Sequence, residues 1–491
     1  MKKILGIVTL LLLLSLAACS EVDENKDNDE VTSIDHLNIY YVNDMHGALL
    51  SEGSRMGMAA IGNLLINEKN TNPDNTIILS GGDMLQGSAL SNYYQGESTI
   101  ELMNESLFDA MVIGNHEFDW GLETVTRYFN PGDENFIADF PLLGANVFHK
   151  GTKDIPEGID PYVILNRGQL KIGVIGIMGY GLESSISRQY VEDYEFFEPL
   201  NIVKETTAYL RNDENVDMVI LLTHDSGYVN QYASEFVDEH KIDAIFNAHS
   251  HRVENQYLSG IPTMQSGAYG THVGYLRLDV NSQSIEDTSM NQLTKLNTPL
   301  LTSNHPGIQI LLNQYVFETD QIFNEPIIYN SSLLSRNVLT EWMSTLLRES
   351  TNADIGFHNS GGTRTDISGN DDITLSTLYD VWPFDNEVVT LYLTGEDIKT
   401  LMNNMSGYST DIHNFIDDEL YKVATNDYLY YHENYPFHEG TDVTHTEVYL
   451  RDLAARELSL QAIAYGNFDP TNAILSNSVY TENDDEVRTN E

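Results

Sequence analysis

One cysteine and a shortage of basic residues set the first limits on this chain. Cys19 has no partner in the sequence, which excludes an intrachain disulfide. Lysine and arginine total 25 against 74 aspartate and glutamate residues, giving a formal net charge of -49 at pH 7. A surface this acidic repels nucleic acid, so we expect no nucleic-acid partner. An anionic small substrate would have to be held by metal ions or by local arginine residues.

The N-terminal segment has the pattern of an export signal. Residues 1–19 combine a basic start, MKK, with the apolar run ILGIVTLLLLLSL and the ending LAAC. The run is short for a spanning helix, and the pattern is typical of a bacterial lipoprotein signal in which Cys19 is acylated. We therefore expect an exported protein, lipid-anchored through Cys19 to the outer face of the bacterial cell membrane; a plain secretory signal with a chance cysteine is the alternative. Residues 20–35 are charged without apolar periodicity, which predicts a disordered tether.

Apolar, strand-like runs alternate with helix-like stretches between residues 36 and 280. The runs include LNIYYV, TIIL, DAMVI, KIGVIGIM and VDMVILLTH, and segments such as MGMAAIGNLLINEKN have helical periodicity. Strands that alternate with helices favour an α/β layered domain. The whole chain, at 491 residues with 41% hydrophobic content, is long enough for two or three domains.

Five of the apolar runs end in side chains that can bind metal ions. In α/β sheets the carboxyl ends of the strands share one edge, where ligands normally bind, so side chains at these ends can converge. A lone histidine at a strand end is more often structural, but that interpretation has to explain each of the five runs separately. The candidates are Asp44 and His46, Asp83, Asn115 and His116, His224, and His249 and His251.

The order of these motifs resembles a known family. NDMHG, GDMLQGS, GNHEFDWG, THDSG and HSH follow one another as in the 5′-nucleotidase family of calcineurin-like metallophosphatases. The resemblance implies a four-layer α/β/β/α sandwich followed by a smaller α+β C-terminal domain.

The resemblance also implies a centre of two divalent metal ions. The positions that match the ligands of one ion are Asp44, His46, Asp83 and His251, and those that match the other are Asp83, Asn115, His224 and His249. Asp83 would bridge the two ions. Imidazole, carboxylate and amide ligands suit zinc, manganese or iron without choosing among them.

His116 and Asp119 match the catalytic dyad of the family. By resemblance, His116 stabilises the phosphoryl transition state or assists the leaving group, and Asp119 orients it. An offset of three residues brings two side chains together at a helix start, and a carboxylate beside an imidazole favours the charged imidazole. The alternative is that Asp119 only caps a helix.

The second half of the resemblance lies in a smaller domain that we place at residues 326–475. Polar, irregular sequence and the periodic segment GIQILLNQYVFETDQIF predict a linker and connecting helix over residues 281–325. NSGGTRTDI then resembles the family's Asn-x-Gly-Gly-x-Arg signature, and LYDVWPFDNEVVTLYLTGEDI matches the segment that follows it. Residues 476–491 are predicted to be a disordered acidic tail.

Three positions in this smaller domain correspond to substrate-binding residues: Asn359, Arg364 and Phe384. The fixed fork of donors on Arg364 suits phosphate, and Phe384 matches an aromatic that stacks on the nucleobase. The alternatives are a tight turn at Gly361 and Gly362, a surface ion pair for Arg364, and a core position for Phe384.

One element of the family is missing from this chain. The segment YKVATNDYL is predicted as a strand, but the glycine-rich GGDGY-type loop that carries the second aromatic of the family's base clamp is absent after it. Residues 432–437 stand in its place. The aromatic residues that could substitute are Tyr430, Tyr431, Tyr435 and Phe437.

Together these features predict a two-metal phosphoester hydrolase that releases phosphate from extracellular nucleotides, for salvage of phosphate and nucleosides. The resemblance also implies that the small domain rotates to carry substrate onto the metal ions. The missing loop leaves open a 2′,3′-cyclic-nucleotide phosphodiesterase or a nucleotide-sugar hydrolase at the same centre. A surface lipoprotein that binds nucleotides or host components without turnover is the alternative outside the enzymes. The intact His116, Asp119 and metal-ligand positions argue against that alternative.

Overall fold

The computed structural model describes residues 33–237, 240–280, 288–432 and 434–472. The predicted lipoprotein signal with Cys19, most of the predicted tether and the predicted acidic tail lie outside these ranges. In the part of the chain that is described, no helix is both long and apolar enough to cross a membrane.

A seven-stranded sheet forms one half of the N-terminal region. Its strands are His36–Val42 (β1), Thr76–Ser80 (β2), Ala110–Val112 (β3), Leu142–Leu143 (β4), Ile159–Asp160 (β6), Val273–Asp279 (β14) and Ser289–Leu293 (β15). They lie in the order β15-β14-β1-β2-β3-β4-β6, with β1 to β4 and β6 parallel and β14 and β15 antiparallel at one edge. The helices of this half are Met58–Thr71 (α1), Ala89–Tyr93 (α2), Glu97–Glu105 (α3) and Leu122–Thr126 (α4).

A six-stranded sheet forms the other half. Its strands are Tyr162–Arg167 (β7), Leu170–Met178 (β8), Met218–His224 (β10), Ala244–Phe246 (β11), Val253–Leu258 (β12) and Ile261–Ser266 (β13), in the order β12-β13-β11-β10-β8-β7. The accompanying helices are Arg188–Val191 (α5) and Pro199–Asn212 (α6), and Val147–His149 (β5) pairs with Tyr194–Phe196 (β9) as a separate two-stranded ribbon.

Alternation along the strands divides the apolar residues between two cores. On β1, Ile39 and Tyr41 point to the core between the two sheets, whereas Tyr40 and Val42 point to the core under α1 and α3. A third core lies between the second sheet and α6, with Leu210 among its residues. The layers therefore run helix, sheet, sheet, helix, which confirms the predicted α/β/β/α sandwich.

The C-terminal region is a smaller α+β unit, as predicted. Its five-stranded sheet contains Ile355–Phe357 (β17), Glu387–Thr394 (β19), Tyr408–Thr410 (β20), Leu420–Asn426 (β21) and Thr441–Tyr449 (β22), in the order β20-β17-β21-β19-β22, and Pro326–Asn330 (β16) pairs with Asp371–Thr374 (β18). Its helices are Arg336–Thr351 (α8), Leu375–Val381 (α9), Gly395–Asn404 (α10), Asp427–Tyr431 (α11) and Leu450–Tyr465 (α12), and Pro306–Phe323 (α7) precedes this unit in the chain. Buried residues of α8 and α12 form one core and those of β19 and α10 form another.

Two segments differ from the sequence-based expectation. The predicted linker over residues 281–325 contains β15, which pairs with β14, and α7 packs into the core of the first sheet through Ile308 and Leu312. The predicted strand YKVATNDYL stops at Asn426, because its Oδ1 accepts the backbone N–H of Leu429 at 2.8 Å and starts α11.

Candidate metal centre and active site

The predicted metal ligands lie at one edge of the N-terminal region, where strands of both sheets end. β1, β2 and β3 are parallel neighbours in the first sheet, and β10 and β11 are parallel neighbours in the second. Asp44 and His46 follow β1, Asp83 follows β2, Asn115 follows β3, His224 ends β10, and His249 and His251 follow β11. The structure brings all seven of these side chains together.

The first group of ligand atoms comes from Asp44, His46 and His251, and these atoms lie within 4.8 Å of one another. The Nε2 atoms of His46 and His251 are 3.0 Å apart, and Nε2 of His251 is 3.5 Å from Oδ1 of Asp44. Burial lowers the pKa of His46 well below its ordinary value and that of His251 to about 4. Both rings are therefore neutral, which is the form that binds a metal ion.

The second group comes from Asp83, His224 and His249, with the amide oxygen of Asn115 among them. Oδ2 of Asp83 lies 3.1 Å from Nε2 of His224, and Oδ1 of Asn115 lies 2.8 Å from Nδ1 of His249. Burial alone would lower the pKa of His224, but the charge of Asp83 raises it to about 10. The cluster thus places a proton between Asp83 and His224, and a divalent cation would replace that proton.

Asp83 links the second group to the first. It also lies with His46 and His116 in a third set of ligand atoms within 4.8 Å of one another, and its side chain is buried. Burial raises the pKa of Asp44 to about 7, although the charge of His224 acts to lower it. The donor set of imidazole, carboxylate and amide oxygen fits divalent metal ions.

The loops that carry the ligands have an unusual backbone. Asp44, His46, Asp83, His249 and His251 all have a positive φ, between 47° and 65°. This left-handed region is rarely occupied by residues other than glycine and persists only where the surroundings enforce it. The turns at the strand ends therefore hold the ligands in strained conformations that direct their side chains to one point.

Backbone carbonyls fix the ring orientation of two ligands. Nδ1–H of His46 donates to the carbonyl of Gln86 at 3.2 Å, and Nδ1–H of His224 donates to the carbonyl of Gly81 at 2.7 Å. A carbonyl can only accept, so Nδ1 of each ring carries a proton and Nε2 is the atom available to a metal ion, on His224 once the proton shared with Asp83 is displaced.

His116 and Asp119 lie beside the ligand cluster. The short 3₁₀ helix Asn115–Phe118 places Nδ1 of His116 2.7 Å from Oδ2 of Asp119, and Nε2 of His116 faces Asp83 at 4.0 Å. Burial would lower the pKa of His116, but the charges of Asp119 and Asp83 raise it above its ordinary value. The two carboxylates therefore favour the imidazolium form of His116, in which Nε2 also carries a proton.

Glu117 is a residue of this site to which the sequence analysis gave no role. Its fully buried carboxylate accepts the backbone N–H groups of Asp83 (2.9 Å), Met84 (3.0 Å), Leu85 (3.3 Å) and Gly114 (2.8 Å). It therefore joins the loop that carries Asp83 to the loop that carries Asn115. The signal in the sequence was the position of Glu117 inside GNHEFDWG. A carboxylate that is buried in such a segment needs several hydrogen-bond donors.

We expect Glu117→Gln to lower metal affinity by about 10- to 100-fold, the usual effect of losing a residue that supports metal ligands. In the glutamine side chain an N–H₂ group replaces one carboxylate oxygen and cannot accept the backbone N–H groups that this oxygen accepts. The loop that carries Asp83 therefore loses some of the hydrogen bonds that hold it. Titration of metal-free protein with Mn²⁺ or Zn²⁺ measures the effect. Glu123→Gln, on the exposed surface of α4, is the control; equal metal affinities for the two variants would contradict this role.

The C-terminal region places the three predicted substrate-binding residues at the metal centre. Asn359, Arg364 and Phe384 line a cavity of about 230 Å³ together with His116 and Asp119. The ring of Phe384 is stacked near His116 with 5.4 Å between centroids, and Cζ of Arg364 lies 5.8 Å from the centroid of Phe384. Phe384 thus lies at the domain interface, not in a core.

None of the four residues suggested as the second aromatic of the base clamp lines this cavity. Phe437 is fully buried, Tyr435 packs against it, and Tyr430 and Tyr431 pack against His445. The aromatic residues that share the cavity with Phe384 are instead Tyr190 of α5 and Tyr428 of α11. Sequence reasoning missed them because Tyr190 belongs to the other domain and Tyr428 was read as part of a strand.

Tyr269 is a second residue that sequence reasoning missed. Its ring centroid lies 5.2 Å from that of His46 and 5.5 Å from that of His251, and its hydroxyl accepts from Nη2 of Arg364 at 3.4 Å. It therefore lies between the metal ligands and the arginine of the small domain. Its sequence context, GAYG, has no metal-binding or catalytic pattern.

The fold and this cluster define the class of calcineurin-like, metal-dependent phosphoesterases. The sequence model of the calcineurin-like phosphoesterase family matches residues 37–253, and that of the 5′-nucleotidase C-terminal domain matches residues 329–417. The two matches confirm the resemblance to the 5′-nucleotidase family in both parts of the chain.

Relatives of known name share about a quarter of their residues with the chain. A 5′-nucleotidase of Vibrio parahaemolyticus is 25% identical over 453 residues, covering 80% of this chain and 78% of that protein. Endonuclease YhcR of Bacillus subtilis is 25% identical over 408 residues, covering 75% of this chain and 32% of that protein. Cell wall protein Lmo0130 of Listeria monocytogenes is 24% identical over 472 residues, covering 79% of this chain and 60% of that protein. The chain therefore spans less than two thirds of the length of the last two.

Solved structures show the same fold. A 5′-nucleotidase precursor from Thermus thermophilus superposes with a TM-score of 0.71 at 17% identity, covering 88% of this chain and 97% of that one. The sulfate thiohydrolase SoxB of the same organism superposes with a TM-score of 0.69 at 15% identity, covering 88% of this chain and 94% of that one.

Proposed function

We propose that this chain is a two-metal phosphoester hydrolase that releases phosphate from nucleotides. The observation that carries the proposal is the convergence of seven ligand side chains, Asp83 among them, beside a His116–Asp119 pair and near Arg364 and Phe384. Two bound divalent ions would polarise the phosphoryl group and lower the pKa of the attacking water.

The residues of the chain supply the remaining parts of the reaction. Asp119 accepts from Nδ1 of His116 and favours the imidazolium form, whose Nε2–H can donate to the phosphoryl oxygen or to the oxygen of the leaving group. Arg364 contributes a positive charge for the phosphate in an otherwise acidic chain. Asn426 donates to Oδ1 of Asn359 at 3.1 Å, which leaves the amide nitrogen of Asn359 to donate to the substrate.

The preference for nucleotides rests on Phe384, with Tyr190 and Tyr428 in the same cavity. We expect Phe384→Ala to raise KM for AMP by about tenfold or more, since stacking of a base on an aromatic ring contributes about 1–3 kcal/mol. Ribose 5-phosphate lacks the base, so its KM is expected to change little. Phe384→Tyr keeps the ring and is the control. Equal losses for AMP and ribose 5-phosphate would contradict base stacking.

A second cavity favours nucleotide sugars as a further substrate class. It lies on the other side of Arg364 and Phe384, also has a volume of about 230 Å³, and is bounded by Arg55, Ser88 and Asp380. A nucleoside monophosphate has one organic group, which needs one cavity beside the phosphoryl site. A nucleotide sugar has a nucleoside on one side of its diphosphate and a sugar on the other, so it can use two cavities. Hydroxyl, carboxylate and guanidinium groups are suited to sugar hydroxyls. Hydrolysis of the diphosphate bond of a nucleotide sugar gives a nucleoside monophosphate and a sugar phosphate. Comparing the KM for this hydrolysis in the native protein and in Ser88→Val tests this use of the cavity, and an unchanged KM would exclude it.

The chain is further proposed to act outside the cell, anchored by a lipid on Cys19, in the salvage of phosphate and nucleosides. The signal-like pattern of residues 1–19 supports this proposal. We expect Cys19→Ala to move the protein from the membrane fraction of the bacterium to the medium. A variant that stays with the membrane would contradict anchoring through Cys19.

A further inference from the structure

The segment 381–384 carries Phe384 and is held through each of its carbonyl groups. Within the small domain, the backbone N–H of Arg364 donates to the carbonyl of Val381 at 2.8 Å. Nη1 of the buried Arg451 donates to the carbonyls of Trp382 at 2.9 Å and Phe384 at 3.1 Å. Arg364 and Phe384 are therefore parts of one rigid unit.

The remaining carbonyl of the segment, that of Pro383, is bound by the other domain. Nε2 of Gln86 donates to it at 2.9 Å and Nδ2 of Asn92 donates to it at 2.8 Å. Both side chains are buried, with 1% and 7% of their surface exposed. Oδ1 of Asn92 accepts the backbone N–H of Gly87 at 2.8 Å, which fixes the amide so that its nitrogen faces Pro383.

The loop that donates these bonds is also joined to a metal ligand. The backbone carbonyl of Gln86 accepts from Nδ1 of His46, and the backbone N–H of Ser88 donates to the carbonyl of His46 at 2.9 Å. Gly87 lies so close that a Cβ atom on it would be 2.2 Å from that carbonyl oxygen. The loop thus contacts the metal centre through its backbone and the small domain through its side chains.

We propose that Gln86 and Asn92 are positioning residues, which hold Phe384 and Arg364 over His116 by binding the Pro383 carbonyl. This inference rests on the proposed function, because Phe384 and Arg364 act there on base and phosphate. If both donors are lost while the small domain stays against the N-terminal region, which is the docked state, the Pro383 carbonyl is buried and unpaired. The free-energy cost of this is larger than the contribution of an ordinary hydrogen bond. Water can satisfy it only when the small domain moves away, so the docked state that aligns substrate becomes less populated.

Asn92→Asp tests the role with little change in shape. The carboxylate can still accept from Gly87, but its second oxygen faces the Pro383 carbonyl and repels it. We expect kcat/KM for AMP to fall by about 10- to 100-fold while the number of bound metal ions stays the same. Small-angle X-ray scattering of the metal-loaded protein is expected to show a larger radius of gyration than for the native chain.

Asn104→Asp is the matched control. Asn104 also donates to a backbone carbonyl, that of Ile137 at 2.8 Å, and accepts a backbone N–H, that of Asp139 at 2.9 Å, but within the N-terminal region. Its kcat/KM and radius of gyration are expected to match those of the native chain. If kcat/KM fell equally in Asn92→Asp and Asn104→Asp, general destabilisation would explain both losses and the proposal would be overturned.

A double-mutant cycle separates positioning from a merely structural role. If Asn92 acts through the unit that carries Phe384, Asn92→Asp costs much less in a Phe384→Ala background than in the native chain. Strictly additive losses, or an unchanged radius of gyration in Asn92→Asp, would overturn the role of the Pro383 contact. Failure of the proposed function can be told apart from failure of this positioning role. In the first case the native protein releases no phosphate, but the difference in radius of gyration between the native chain and Asn92→Asp can still be measured.

Discussion

His116→Ala is expected to lower kcat for AMP hydrolysis by about 10²- to 10⁴-fold, the usual contribution of a positioned acid–base group. The side chain lines the cavity, its Nδ1 is held by Asp119 and its Nε2 faces the shared carboxylate of Asp83. It is not one of the seven proposed ligands, so metal content should not change. Steady-state phosphate release and elemental analysis of the purified variant measure the two quantities.

Asp119→Asn separates the contributions of the dyad. The amide can still hold the ring of His116, but without the charge that raises the pKa of His116. We expect a loss smaller than that of His116→Ala. A His116→Ala variant with native kcat, or one whose loss is matched by loss of metal ions, would contradict the role of His116 as proton donor.

The largest effect is expected from Asp83→Asn. Asp83 belongs to two of the three sets of ligand atoms and is the residue proposed to bridge the metal ions, and its Oδ1 also accepts the backbone N–H of His116 at 2.9 Å. An amide in this position weakens both metal sites, and metal ions contribute several kcal/mol of transition-state stabilisation, so activity should fall by about a thousandfold or more. Metal content per chain is expected to fall below that of the native protein.

Asp109→Asn is the control for this substitution. Asp109 is a carboxylate of the same sheet, paired with Lys69 and Arg167 away from the centre. The Asp109→Asn substitution should lower the stability of the protein without lowering its metal content. Full metal occupancy and activity in Asp83→Asn would contradict a shared carboxylate at the centre.

The sequence was sufficient for the parts of the site that follow from strand ends. Apolar runs mark the parallel strands, and polar side chains directly after them meet at one sheet edge, so Asp83 and Asn115 could be brought together without a structure. The same reasoning located β1 to β3 within a residue or two. It could not locate β15, because an exposed edge strand has no apolar alternation and is defined by backbone pairing with β14.

Other features depend on contacts between segments far apart in sequence. Which aromatic residues face Phe384 is decided by how α5 of one domain meets α11 of the other, and no local pattern encodes that meeting. The roles of Gln86 and Asn92 likewise depend on one carbonyl about 290 residues later. Glu117 lay inside the most informative motif, but only its burial and its four donors identify what it does.

The most direct measurement is phosphate release from AMP as a function of the number of Mn²⁺ or Zn²⁺ ions bound per chain. Metal-free protein is expected to release none, and the rate should reach its maximum at two ions per chain, with the His116→Ala variant binding both ions and remaining slow. Release that does not depend on bound metal would contradict the account. So would the absence of release from AMP, a cyclic nucleotide and a nucleotide sugar by protein that holds two ions.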